Sequence, residues 1–335
     1  MTYPHLFRLA SSARVLVVTG AVIAAIAATI VAPGSAAQAA APGPSQTQLV
    51  SVTPSTPATG GNRASSDNDA TGAPSISGDG RYVAFSSFAS DLTATAVPVG
   101  SSQIYLRDTV AGSTRLISAS AAGVAGDRQS LFPSISADGN RIAYVSFSTN
   151  ITPGYTAGPP QALLFDRVSG LTTVVSVSNA SPLVLGDGAT QTVAISADGD
   201  VVAFESNSTN LTNDDSRGQI QAFTRTISTG VTEMVSLDTS WAGPAGAESG
   251  VLTGAGSLAI SSDGGIVAFL SSSKLSSVDN RSYYEVYLHT PGSRTPEIAS
   301  LDVAGLAAAN DHVTYVSLRG WSIGGLLIEG HQSDS

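Results

Sequence analysis

An all-β fold that repeats one small antiparallel sheet is predicted by three features of this 335-residue chain. First, one phrase recurs four times: Ile-Ser, a small residue, Asp-Gly, then Val/Ile-Ala-Phe/Tyr three residues on. The copies begin at Ile76, Ile135, Ile195 and Ile260. Second, the aspartates of that phrase, Asp79, Asp138, Asp198 and Asp263, stand 59, 60 and 65 residues apart. Self-similarity at this period marks a supersecondary unit that is stacked or wheeled. Third, beyond the first forty residues no segment shows a helical period.

Residues 1–39 read as a signal peptide and stand outside the fold. His5, Arg8 and Arg14 make a basic start, Val15 to Ala32 is almost wholly apolar, and Ala37-Gln38-Ala39 offers small residues for cleavage. A retained N-terminal anchor is the alternative, and membrane contact is expected only through it. The chain has no cysteine, so neither a thioether lipid anchor nor a disulfide framework is available. These features place the protein outside the cytoplasm, secreted or associated with the cell envelope. Cleavage removes two arginines and takes the net charge from −10 to −12. An acidic surface disfavours nucleic acid, whose binding depends on cations displacing counterions.

Residues 40–72 are rich in Pro, Ser, Thr, Gly and Ala and hold one strand-like island at 48–52. Residues 73–335 suit one large domain, with repeats near 73–119, 132–177, 192–237 and 257–301 and a degenerate unit at 302–330. Each unit carries four strand-like runs. In the first, Ser75–Ser77 turns at Asp79-Gly80 into Tyr82–Ser86, and a long polar loop leads to Gln103–Leu106. A turn at Gly112 then gives Thr114–Ser118. Aspartate caps its own turn and the following glycine tolerates positive φ, which makes Asp79-Gly80, Asp138-Gly139, Asp198-Gly199 and Asp263-Gly264 structural turns. One such sheet buries neither face alone, so several wheeled round a channel predict a β-propeller. The small residues Ala84, Ala143, Ala203 and Ala268 fall where inner strands crowd.

The run Ser-x-Ser-x-Asp-Gly-x-x-Val-Ala-Phe, with a later Asp-Arg or Thr-Arg and Gly before the outer strand, resembles TolB-like propeller repeats of bacterial exported proteins. The resemblance covers Ala73 to Ser300. It departs from the family's commonest form in lacking Pro before the turn Asp. It implies a WD-like wheel that serves as a protein-docking module, as a sugar- or peptide-facing domain, or as a gate beside a hydrolase. After the fourth repeat too few residues remain for a full blade. Five blades are expected, the last a composite in which the strand at 48–52 completes a C-terminal half-blade; an unclosed wheel is the rival.

Tight turns occupy one face of such a wheel, and long loops share the other with the links between blades. That second face collects Asp67, Asp69, Asp127, Asp187 and Glu248 from the links, and Asp91, Asp214, Asp215 and Asp279 from the loops. They predict either a solvated rim or an acidic funnel for Ca²⁺ or a basic peptide, because hard cations want several carboxylate oxygens. Asp67 and Asp69 begin like a calcium loop, but Gly78 stands where the bidentate acid belongs. The turn aspartates, each on its own blade, are expected to lie far apart and to carry no chemistry. Trp241 is the candidate aromatic contact.

Gly320-Trp321-Ser322-Ile323-Gly324 matches a nucleophile elbow and looks like that of prolyl-oligopeptidase-type hydrolases. Only His331 and Asp334 follow, in the wrong order for a triad. No catalytic residue and no obligatory cofactor are therefore expected. The sequence reading is an exported, non-enzymatic scaffold binding a protein or peptide at its loop-rich face. The alternatives are a carbohydrate- or peptide-degrading propeller enzyme and the propeller remnant of a hydrolase.

Overall fold

The computed structural model describes residues 47–55, 59–66, 72–155, 157–179, 184–214, 216, 218–237, 257–271, 273, 275, 285–290, 293, 296–300, 313–319 and 327–332. Among these there is no helix, and four sheets of four antiparallel strands follow one another as propeller blades. Blade 1 holds β1 (Ser75–Ile76), β2 (Tyr82–Ser87), β3 (Gln103–Asp108) and β4 (Ser113–Leu116) in that order. Blade 2 holds β5 (Ser130–Ile135), β6 (Arg141–Ser146), β7 (Gln161–Asp166) and β8 (Thr172–Val174). Blade 3 holds β9 (Thr190–Ile195), β10 (Val201–Ser206), β11 (Gln221–Thr226) and β12 (Val231–Met234). Blade 4 holds β13 (Leu258–Ile260), β14 (Val267–Ser271), β15 (Glu285–His289) and β16 (Glu297–Ile298). A fifth sheet pairs β17 (Val313–Arg319) with β18 (Leu327–Gln332).

The second strand of each blade is buried nearly throughout. Strand alternation sends successive side chains to opposite faces, and in these strands both faces meet a neighbour. Ala84 of blade 1 joins Ile142, Tyr144 and Leu163 of blade 2 in one cluster. Ala143 and Val145 of blade 2 join Val202, Phe204 and Phe223 of blade 3. Ala203 and Ala222 of blade 3 join Val267, Phe269 and Tyr287 of blade 4. The four alanines of the repeat are fully buried, as close approach of neighbouring sheets demands.

The Asp-Gly hairpins share one rim, and a backbone ladder runs through them. Gly78 N–H donates to Ala137 O (2.8 Å), Ala137 N–H to Ala197 O (2.8 Å), and Ala197 N–H to Ser262 O (2.9 Å). The turns thus touch one another through their backbones, closer company than the sequence reading expected. Inside each turn a serine hydroxyl donates to the aspartate, at 2.6 Å for Ser77 to Asp79, Ser136 to Asp138 and Ser261 to Asp263, and at 2.5 Å for Ser196 to Asp198. The same carboxylate accepts the N–H two residues on. In Asp79 and Asp263 those hydrogen bonds, the serine hydroxyl's above all, hold the carboxyl below its ordinary range. Inner strands are tied likewise, since Ser75 Oγ accepts Ile135 N–H and Ser134 Oγ accepts Ile195 N–H, both at 3.2 Å.

Glycine's freedom matters unequally along this rim. Gly80 (φ 73°) and Gly139 (φ 69°) both sit in the left-handed region, but a Cβ on Gly80 would meet nothing within 4 Å. On Gly139 it would fall 2.3 Å from the Tyr82 ring of blade 1, which also carries the Arg167 guanidinium 4.5 Å from its centroid. Gly139→Ala should therefore lower stability by about 2–4 kcal/mol, and Gly80→Ala by only about 1, the left-handed strain alone. Equal urea midpoints for the two variants would contradict the blade 1–blade 2 contact.

One buried acid interrupts the pattern. Glu205 occupies the β10 position filled by Ser86, Val145 and Leu270 in the other blades, and Ser257 of blade 4 donates to its Oε2 (3.1 Å). Burial pushes its pKa up to about 7, against the smaller pull of that hydroxyl. An acid with a raised folded pKa binds its proton more tightly than the unfolded chain does, so stability falls as pH rises from about 4.5 to 7. Glu205→Gln should leave the melting temperature unchanged at pH 4.5 and raise stability by about 2–3 kcal/mol at pH 8. An equal effect at both pH values would show that Glu205 does not titrate in this window.

Candidate functional site

The two faces of the wheel are built from different chemistry. On the hairpin rim the second turn of blades 1, 2 and 3 closes onto the first: Thr109 N–H donates to Arg81 O (2.9 Å), Arg167 N–H to Asn140 O (2.7 Å) and Ile227 N–H to Asp200 O (2.7 Å). The opposite face carries the long loops and the links between blades. Those links are small hairpins, marked by bridges Ala119–Ala125 and Val177–Leu185, and the segment before β1 forms a like hairpin at Val52–Gly60.

A repeated clasp fixes each loop to the link that enters its blade. In blade 2 the Asp127 carboxylate accepts Thr149 N–H and Thr149 Oγ1–H, both at 2.7 Å, while Asp127 N–H donates to Asn150 Oδ1 (3.0 Å). In blade 3 Asp187 accepts Thr209 N–H (2.6 Å) and hydroxyl (2.5 Å) and donates to Asn210 Oδ1 (3.1 Å). In blade 1 acid and amide exchange places: Asn62 N–H donates to Asp91 Oδ1 (2.9 Å), and Asn62 Oδ1 accepts Ser90 N–H (3.0 Å). Partial desolvation raises the Asp127 and Asp187 pKa values, but the threonine donors outweigh it and both end below the ordinary range.

A second ladder fastens the other side of each link. Ser118 Oγ–H donates to Gln103 Oε1 (2.5 Å) and accepts Ile104 N–H (2.9 Å). Gln103 Nε2 then donates to Gly126 O (3.3 Å) and Arg128 O (2.9 Å). Ser176 and Gln161 repeat the serine–glutamine contact in blade 2, and Ser236 and Gln221 in blade 3. Ser300 donates to Glu285 in blade 4. The loop face is therefore pre-ordered by hydrogen bonds rather than left as free loops.

A cavity of about 300 Å³ lies between blades 1 and 2, running from the first long loop and the link to Gly170 in the turn after β7, on the hairpin side. Thr93 and Thr95 of the first long loop, Thr114 and Arg115 of β4, Ser120 of the link, and Phe165 of blade 2 contribute to its wall. The Arg115 guanidinium lies over the Phe165 ring, 4.8 Å from its centroid, and is exposed. Among the described ion pairs Arg115 takes no part. Stacking on a buried ring holds the cation flat at the cavity wall and leaves its N–H edge for a ligand. The hydroxyls of Thr93, Thr95 and Ser120 in the wall can donate or accept.

The residues singled out in the sequence fall in three places. Asp127, Asp187 and Asp91 are joined to the loop clasps, where each carboxylate accepts hydrogen bonds between a loop and a link. Asp214 lies in the third long loop, where its N–H donates to Thr212 Oγ1 (3.2 Å). Asp67, Asp69, Asp215, Trp241, Glu248, Asp279 and Ser322 lie outside the described residues. Among the described residues no three His, Cys, Asp or Glu side chains are grouped to hold a metal ion. Neither Arg115 nor the clasp emerged from the sequence. The clasp left a signal, because Gly61-Asn62, Gly126-Asp127 and Gly186-Asp187 recur in step with Ser90-Asp91, Thr149-Asn150 and Thr209-Asn210.

Several solved structures are similar to this chain. TolB from Acinetobacter baumannii is 17% identical with a TM-score of 0.40, over 69% of this chain and 43% of that one. A putative TolB from Agrobacterium tumefaciens is 19% identical with a TM-score of 0.41, over 67% and 62%. Dipeptidyl peptidase 4 from Porphyromonas gingivalis is 15% identical with a TM-score of 0.43, over 73% and 33%. The chain spans about two-fifths and three-fifths of the two TolB structures. No family model and no curated protein matches the sequence.

Asp127→Ala should cost only about 0.5–1.5 kcal/mol, because the two exposed Thr149 donors it releases pass to water. It should also speed amide exchange at Thr149 and Asn150 while the hairpin rim keeps its protection. Unchanged exchange there would mean that the clasp does not order the loop.

Proposed function

We propose that this protein is an exported, non-catalytic scaffold that holds a peptide or protein at its loop-rich face. The scaffold is a five-bladed wheel whose last blade is composite. The observation that carries the reading is the cavity between blades 1 and 2, where a stacked arginine and several hydroxyls line a pocket held by hydrogen-bonded loops. Pre-ordered loops lower the entropy lost on binding, which favours recognition of a defined segment. A flat guanidinium edge suits a carboxylate in bidentate contact. The occupant is therefore a peptide segment that presents a carboxylate, either an acidic side chain or a free C-terminus.

Residues 1–39 supply the export signal in this reading. Calcium is not needed by it.

Titration calorimetry with matched short peptides, ending in free or amidated C-termini and with or without acidic side chains, tests the reading. Carboxylate-bearing peptides should bind the wild type and lose tenfold or more in affinity to Arg115→Glu, because a charge-assisted bond of about 1.5–3 kcal/mol is replaced by repulsion. Binding unaffected by Arg115→Glu would displace the site. Cleavage of the peptides would displace the non-catalytic reading itself.

A further inference from the structure

The links after blades 1 and 2 begin with the same backbone contacts. Ala119 N–H donates to Ile117 O (2.7 Å) and Ser120 N–H to Val124 O (2.8 Å), as Val177 N–H does to Val175 O (2.8 Å) and Ser178 N–H to Val184 O (2.9 Å). The residue that follows is Ala121 in the first link and Asn179 in the second.

Asn179 seats its carboxamide on the outer edge of blade 3. Its Nδ2 donates to Thr232 O (2.6 Å), and its Oδ1 accepts Thr232 N–H (2.7 Å). An edge strand presents such unpaired groups to any chain that can match them. By filling both on one residue, the carboxamide imitates the hydrogen-bonded pair of an antiparallel strand. Thr232 Oγ1 also donates to Val177 O of the link (3.1 Å), and Thr232 is buried.

Blade 2 offers the same edge with nothing on it. Thr172 stands opposite Phe165 as Thr232 stands opposite Arg225. Val175 N–H bonds inward to Ala162 O and Val235 N–H to Ala222 O, both at 2.8 Å. Strand alternation therefore sends the Thr172 N–H and C=O outward, as it does those of Thr232. Among the described residues no hydrogen bond from outside the sheet reaches them. The methyl group of Ala121 has nothing to offer that edge. Both ends of the missing contact, Ala121 and the Phe165 that faces Thr172, stand in the wall of the cavity that holds Arg115. A Cβ on Gly170 would lie 3.8 Å from Arg115 Nη2. Thr172 is two residues further on, about 7 Å along a strand.

We propose that the free edge at Thr172 is the second half of the peptide site. One residue of the bound peptide pairs its main-chain N–H and C=O with the C=O and N–H of Thr172, antiparallel to β8, while a carboxylate on that residue or its neighbour meets Arg115. The occupant is thus an extended acidic segment that adds a short strand to blade 2, in the place that Asn179 takes on blade 3. The inference rests on the carboxylate site proposed above and adds the conformation and register of its ligand.

Amide exchange of the full chain, free and saturated with a carboxylate-bearing peptide, reads this edge residue by residue. The Thr172 N–H is expected to exchange at least tenfold more slowly in the complex, and an unchanged rate would overturn the edge contact. The peptides are also N-methylated at one position at a time, which removes a single main-chain donor. Methylation at the carboxylate-bearing residue or its neighbour should weaken binding tenfold or more; losses below twofold at both would overturn the pairing. Ala121→Asn gives the first link the carboxamide of the second. It should raise the melting temperature and weaken the peptide tenfold or more; full affinity in a variant whose melting temperature has risen would place the peptide away from Thr172. Arg115→Glu separates the two readings. Loss of binding there, without protection of Thr172 in the wild-type complex, keeps the carboxylate site and overturns its extension to the edge. Protection of Thr172 by a peptide that binds Arg115→Glu undiminished keeps the edge and overturns the arginine contact. Failure of every peptide to bind would overturn both.

Discussion

A four-stranded sheet with strands of two to six residues has apolar side chains on both faces and too little chain to cover either. Everything else in this protein follows from covering each face with the next copy of the same sheet. The three clusters between successive blades show the exchange directly, a buried alanine of one second strand lying against the aromatic or branched residues of the next. Such packing tolerates little change of volume, because both partners are repeats and neither can move without opening the other side. The alanine of the repeated phrase is thus a spacing device, and the Phe or Tyr that follows it fills the opposite face.

Packing alone leaves rotation between neighbouring sheets undetermined. The hydrogen-bond ladders remove that freedom. Backbone N–H···O hydrogen bonds link successive hairpins at the rim, and serine hydroxyls of one inner strand take N–H groups of the next. On the opposite face glutamine–serine pairs and the Asp/Asn clasps attach each link and each long loop to the strands. Abundant Ser and Thr in this chain therefore act as internal connectors. Ordered loops on a rigid scaffold are the physical basis of the binding role proposed above.

The repeat was readable because its determinants are local. Asp-Gly with a serine two residues earlier forms a turn whatever surrounds it, and strand alternation follows from neighbouring residues. The site was less readable because its determinants are not local. Asp127 looks like a free acid until Thr149, 22 residues away, is seen to occupy it. Arg115 looks like an ordinary outer-strand residue until Phe165 of the next blade is placed beneath it. The turn aspartates look isolated in sequence, since separation along the chain says nothing about the backbone ladder through their hairpins. Glu205 gave no warning either, since three different residue types fill its position in the other blades.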